Sequence, residues 1–129
     1  MIITIPLRLE SVANLREHWG ARARRAKLHR DTTSMVVRAA WRGWLPLGEW
    51  SREELLDRGL VVTLARIALR TLDCDNLAAA LKSVRDGVAD ALGLKSDADP
   101  RVAWRYCQRR GMPGEYAVEV RIEGAQCLN

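Results

Sequence analysis

Two hydrophobic periods alternate along the chain. Between Met1 and Leu9, Ile3, Ile5, Leu7 and Leu9 fall on one face and Thr4, Pro6 and Arg8 on the other. That period of two predicts a half-buried strand, and Pro6 points to an edge position. From about Asn14 to Trp44 the chain lacks proline and is rich in Ala, Arg and Leu. Mainly helix is expected there, broken near Gly20, with the apolar stripe clearest at Met35, Val36, Ala39 and Ala40. Trp19 and Trp41 are expected in the core. Gly and Pro punctuate Gly43–Trp50 as a loop, after which Ser51 and Glu54 form a capping box for a short helix ending near Arg58.

Leu60–Leu72 is a nearly continuous apolar run rich in Val, Ile and Leu, which predicts a buried strand. From Asp75 to Leu92 the period changes, with Leu77, Leu81, Val84, Val88 and Leu92 recurring three or four apart and Gly93 marking the stop. Leu94–Pro100 reads as a loop. Val102, Trp104 and Tyr106 begin another alternating strand, and Tyr116 to Ile122 form the last, the two joined as an expected hairpin. The predicted order is therefore β-α-α-β-α-β-β. This is an α/β (α+β) domain spanning residues 1–129, with a small mixed sheet of about four strands under a long N-terminal and a central helix.

Charge sharpens this outline. Twenty-one Lys and Arg stand against 16 Asp and Glu, a net charge of +5, and the isoelectric point near 9.6 makes polyanion binding a reasonable expectation. Cys74, Cys107 and Cys127 are odd in number and lack CxxC spacing, so reduced thiols are expected rather than disulfides or zinc. No uncharged run exceeds seven residues, and the first ten residues contain Arg8 and Glu10. A soluble cytoplasmic protein without a signal peptide or membrane span is expected.

Chemistry concentrates in two segments. In "LDCDNL", Asp73 and Asp75 lie two apart where strand gives way to helix, and in extended geometry both side chains would leave the same face. Asp75 alone suits a helix N-cap. A second acid beside it is repelled unless a cation lies between them, and such oxygen donors suit Mg²⁺ or Mn²⁺. Asp97 and Asp99 follow in the next loop, which would return to the same sheet edge if the following strand lies beside Leu60–Leu72. Lys82 and Asp86 continue the helical stripe from Asp75 and Ala79; Lys82 either serves the acids or pairs with Asp86 on the surface. Acids and a lysine around a divalent ion would suit phosphodiester hydrolysis. The second segment, Arg16–Arg30, carries Arg16, Arg22, Arg24, Arg25, Lys27 and Arg30, opposed within it only by Glu17. Its reading is either phosphate contact or a solvated helix face. Arg66, Arg70, Arg105, Arg109 and Arg110 would extend a DNA-binding surface. His18 and His29 have no third ligand, so no zinc site is expected.

"LDCDNL" (Leu72–Leu77), "LKSVRDGVADALG" (Leu81–Gly93) and "DADPRVAW" (Asp97–Trp104) together resemble the RusA family of Holliday-junction resolvases, over about Leu60 to Ile122. The resemblance implies a homodimeric Mg²⁺-dependent endonuclease that nicks four-way DNA junctions symmetrically, with no organic cofactor. It assigns metal binding to Asp73, Asp75 and Asp99, with Asp97 as the alternative to Asp99, and a structural place to Asn76. The family's lysine falls at Ala79 here, and Lys82, one turn on, is the expected substitute. A non-catalytic DNA-binding module and a nuclease for other branched DNA are the alternatives.

Overall fold

Among the described residues, four strands and three helices follow one another in the predicted order. The computed structural model describes residues 1–11, 18–44 and 50–125. The elements are β1 (Ile2–Ile5), α1 (Trp19–Trp44), α2 (Arg52–Asp57), β2 (Leu60–Ala68), α3 (Cys74–Ala91), β3 (Val102–Arg110) and β4 (Ala117–Gly124). The fold class is thus α+β, with one mixed four-stranded sheet. Segment 12–17, with Arg16, most of the 43–50 loop, and Cys127 lie outside the described residues. Cys74 and Cys107 are exposed free thiols. Among the described residues no helix is long and apolar enough to cross a membrane.

The spatial order is β1-β4-β2-β3. β2 runs parallel to β3, from Leu60 opposite Val102 to Ala68 opposite Arg110, and antiparallel to β4. The expected hairpin of the last two strands does not form, because β2 lies between them. Its apolar run supplies partners on both sides, whereas an alternating strand with a charged face would be poorly suited to the sheet centre. β1 is much shorter than the alternation suggested, and it is an edge strand, as Pro6 indicated. β2 also ends earlier than expected: Gly111 N–H donates to the Ala68 carbonyl at 2.9 Å and the chain then turns away.

One face of the sheet carries the core. Leu60, Val62 and Leu64 of β2 and Val118, Val120 and Ile122 of β4 meet Leu77, Leu81, Val84 and Val88 of α3, with Val37 and Trp41 of α1. The inward face of α1 is Thr33, Val37 and Trp41, each four residues apart. Met35, expected in the stripe, is 67% exposed: it lies about 200° around the helix from both Thr33 and Val37. Ala39 is exposed as well, while Val36 and Ala40 flank the buried row. Trp19 is 76% exposed, correcting its expected place in the core; Trp41 is buried as expected. On the reverse face, Glu119 of β4 bridges Arg109 at 3.7 Å and Arg121 at 3.6 Å.

α2 forms where the capping box placed it. Ser51 Oγ accepts from Glu54 N–H at 3.3 Å, and Ser51 N–H donates to Glu54 Oε2 at 2.7 Å.

α1 and α3 run parallel. Ala79 and Ser83 line a groove with Arg22 and Arg25, Gly87 meets Arg30 and Thr33, and the Asp90 carbonyl accepts from Arg38 at 3.4 Å. Gly87 is a point of close approach. A β-carbon there would stand 2.5 Å from the Arg30 carbonyl oxygen and 2.8 Å from Thr33 Cβ. In an open helix Gly→Ala stabilises by about 1 kcal/mol. Here the helices must part, so Gly87→Ala is expected to destabilise by about 1–3 kcal/mol in urea unfolding. A stabilised Ala variant would show that the helices are not in contact there.

Candidate functional site

The D-x-D-N segment opens α3. Asp73, not Asp75, is the N-cap: its backbone is extended (φ −68°, ψ 168°) and its side chain accepts from Asn76 N–H. Oδ1 takes that bond at 2.9 Å, and Oδ2 accepts from Asn76 Nδ2 at 3.0 Å. Asn76 therefore has a structural role, holding the capping carboxylate from two directions. Asp75 lies in the first turn, exposed. Since Asp75 is helical, the pair does not share a strand face; the two acids instead occupy the N-cap and the second helical position at the positive end of the helix. Leading into the cap, Gln108 of β3 brackets Leu72. Its Oε1 accepts from Leu72 N–H at 2.9 Å and its Nε2 donates to the Leu72 carbonyl at 2.6 Å.

The later acids lie elsewhere. As expected, the strand after the helix lies beside β2, but the pairing is parallel, so the intervening loop enters at the opposite end of the sheet. Val102 N–H donates to the Asp99 carbonyl at 3.2 Å, placing Asp99 at the start of β3. Leu72 sits at Gln108, six residues along, or about 20 Å at the strand rise. Within one chain the structure thus does not bring Asp99 to Asp73 and Asp75. Asp99 binds Arg101 instead, at 2.9 Å to Nη2, and Arg101 reaches on to Asp57 at 3.0 Å and Glu53 at 3.4 Å. That guanidinium holds the Asp99 carboxyl below its ordinary pKa.

Asp97 is gathered in with Lys82. Lys82 Nζ donates to Asp86 at 2.8 Å and to Asp97 at 2.9 Å, so the surface pairing with Asp86 forms and Asp97 joins it. Arg85 Nε stands 2.7 Å from the same Asp97 oxygen without the alignment of a hydrogen bond, and the guanidinium lies 4.8 Å from the centre of the Trp104 ring. The Lys82 bond is the main cause lowering the Asp97 pKa. Bonds to Asp86 and then Asp97 raise that of Lys82. Sequence spacing concealed these cations: Arg85 lies twelve positions from Asp97, and Arg101 only two from Asp99.

The basic segment is divided in the same way. Lys27 pairs with Asp31 at 2.6 Å and Arg30 with Asp90 at 2.7 Å. Two acids beyond the segment therefore oppose its cations. Arg22 and Arg24 are exposed near the start of α1. Arg22 and Arg25 line a narrow groove with Glu10, His29 and Ala79; burial and then the charge of Arg25 lower the His29 pKa. Ala79 is one helical turn from Asp75. The parallel packing of α1 and α3 thus sets this arginine pair about one helical turn along α3 from Asp75. Arg70 is exposed next to the D-x-D-N segment, whereas Arg105 and Arg109 lie on the reverse face of the sheet.

As a metal site, the donors fit only in part. Among the described residues no group of three His, Cys, Asp or Glu converges, and Asp97 and Asp99 already hold cations. Asp73 and Asp75 remain, a pair of carboxylates at one helix end. Mg²⁺ commonly takes one or two protein carboxylates and completes its shell with water and substrate phosphate, so this pair suits it where a three-acid centre does not.

The ion pair of Asp97 has a pH signature. Its carboxyl titrates lower in the folded chain than in the unfolded one, so its stabilisation is present above the ordinary carboxylate pKa and is lost as pH falls through the lowered value. Asp97→Asn is expected to lower the urea midpoint at neutral pH, the gap to the parent closing as pH falls through the lowered carboxyl pKa. A variant more stable than the parent at neutral pH would instead mark Asp97 as an acid held under strain for a ligand. No protein-family model, curated protein or solved structure matches the chain.

Proposed function

We propose that the protein is a Mg²⁺-dependent endodeoxyribonuclease acting on branched DNA, with the four-way junction as the substrate implied by its resemblance to the RusA family. The observation carrying this reading is that the groove lined by Arg22 and Arg25 reaches Ala79, one helical turn from Asp75 at the start of α3. Cations beside a pair of acids are what a phosphodiester needs: arginines hold and orient the backbone, and the acids recruit the ion. Asp73 and Asp75 would hold Mg²⁺ or Mn²⁺, which when bound polarises a phosphoryl oxygen and lowers the pKa of its water. Arg22, Arg24 and Arg70 would grip flanking phosphates. Lys82, engaged by two carboxylates, supports the loop before β3 in this reading rather than the reacting phosphate. Symmetric nicking of a two-fold junction calls for a homodimer with two such sites, working in the cytoplasm of a bacterial or phage-infected cell.

A second reading has its own support. Asp73 is fully accounted for as a cap, and a basic module that binds DNA without cutting it would need no metal. Labelled four-way junction, duplex and single strand, each incubated with Mg²⁺ or EDTA, separate the two. Mg²⁺-dependent nicking of the junction is expected, and in Asp75→Asn it should fall on the order of a hundredfold or more with DNA binding unchanged or tighter. Binding without nicking supports the module; equal cutting of plain duplex removes junction selectivity.

A further inference from the structure

Beside the D-x-D-N segment lies a second cleft, of about 440 Å³, among whose lining residues are Arg8, Ser11, Arg66, Arg70, Leu72 and Tyr116. That volume is in the range of small-molecule sites, and its chemistry is lopsided.

Arg66 projects from the core face of β2 and is only 6% exposed. Its Nε donates to the Leu9 carbonyl at 2.8 Å and an Nη to the Arg70 carbonyl at 2.7 Å. Two of its five donors are thus met by neutral carbonyls. Among the described residues no carboxylate forms an ion pair with it. Burying a guanidinium without a directly paired acid is costly, and desolvation lowers its pKa, with the charge of nearby Glu10 opposing the shift. Arg70, exposed at the rim, also lacks an ion pair among the described residues. Glu10, the acid in the cleft, is taken by Arg8 at 2.7 Å, and that arginine stacks 4.3 Å from the centre of the Tyr116 ring. Three cations against one acid leave a formal excess of +2. In the same wall Ser11 is 4% exposed, and among the described residues its buried hydroxyl finds no hydrogen-bond partner.

We infer that this cleft binds a phosphate group, with Arg66 and Arg70 supplying charge and Ser11 a hydroxyl contact. A phosphate oxygen would balance the excess charge and give the buried hydroxyl a hydrogen-bond partner. Leu72 lines the cleft and precedes the cap, so the phosphate would sit next to the Asp73–Asp75 pair. The inference rests on the nuclease reading only in naming DNA as the source of that phosphate; a soluble phosphoester shares the chemistry.

The test is titration of the full-length protein with inorganic phosphate in EDTA, followed by calorimetry. Saturable binding is expected in the parent, at least tenfold weaker in Arg70→Gln and weakened in Ser11→Ala, with both variants folded by circular dichroism. No saturable binding, or parental affinity in Arg70→Gln, overturns the inference. Arg66→Met is less informative, since it breaks two structural bonds. A competition arm with four-way-junction DNA names the source: displacement of phosphate identifies a backbone phosphate, and undisturbed phosphate binding at saturating DNA identifies a soluble phosphoester. Metal-free phosphate binding reports on this cleft and Mg²⁺-dependent nicking on Asp75, so either reading can fail alone.

Discussion

Parallel pairing of β2 with β3 constrains everything else in the molecule. Parallel neighbours cannot be joined by a tight turn, because the chain must first return to the end it started from. α3 is that return. Once the register is set, from Leu60 opposite Val102 to Ala68 opposite Arg110, the start of α3 belongs to one end of the sheet and the following loop to the other. Asp73 and Asp99 flank the same helix in the sequence. The crossover makes them distant in space.

The two ends are electrically different. Along α3 and the loop after it, acids and bases are matched: Lys82 and Arg85 with Asp97, Arg101 with Asp99 and Asp57, Arg30 with Asp90. These pairs are partly exposed and individually weak, but they pin α1, α3 and the β3 entry to one another. At the opposite end, Asp75, Arg22, Arg24 and Arg70 have no ion pairs among the described residues. Two helices direct their positive ends the same way there. Charge left unmatched beside matched charge is where a charged ligand gains most.

How much of this was legible in the chain varied with the range of the deciding interaction. The capping box at Ser51, the helix through Leu81, Val84 and Val88, and the core face of β4 depend on neighbours a few residues away, and their periodicity showed them. The supposed hairpin failed because whether two strands pair depends on which third strand lies between them. Asp73 and Asp75 are both sound caps by type; the amide of Asn76 decided between them. On α1, four small or apolar residues in two adjacent pairs looked like a stripe, but the inward face includes a threonine, Thr33, which a hydrophobic count passes over. The candidate acids were named correctly as acids, while their company was hidden, because Arg85 and Arg101 come to Asp97 and Asp99 through the fold of the loop.

The two rims of the sheet bear on how copies of this chain tolerate each other at high concentration. An unpaired strand flank is a template for intermolecular ladder growth, the usual start of aggregation. β1 offers only four residues before Pro6, which has no N–H to donate. β3 is longer, nine residues, and carries Arg105, Arg109 and Arg110, all exposed. Stacking two such flanks would crowd six guanidinium groups together. Arginines outside the candidate site therefore have a use of their own: they keep a half-open sheet colloidally stable without any covering partner.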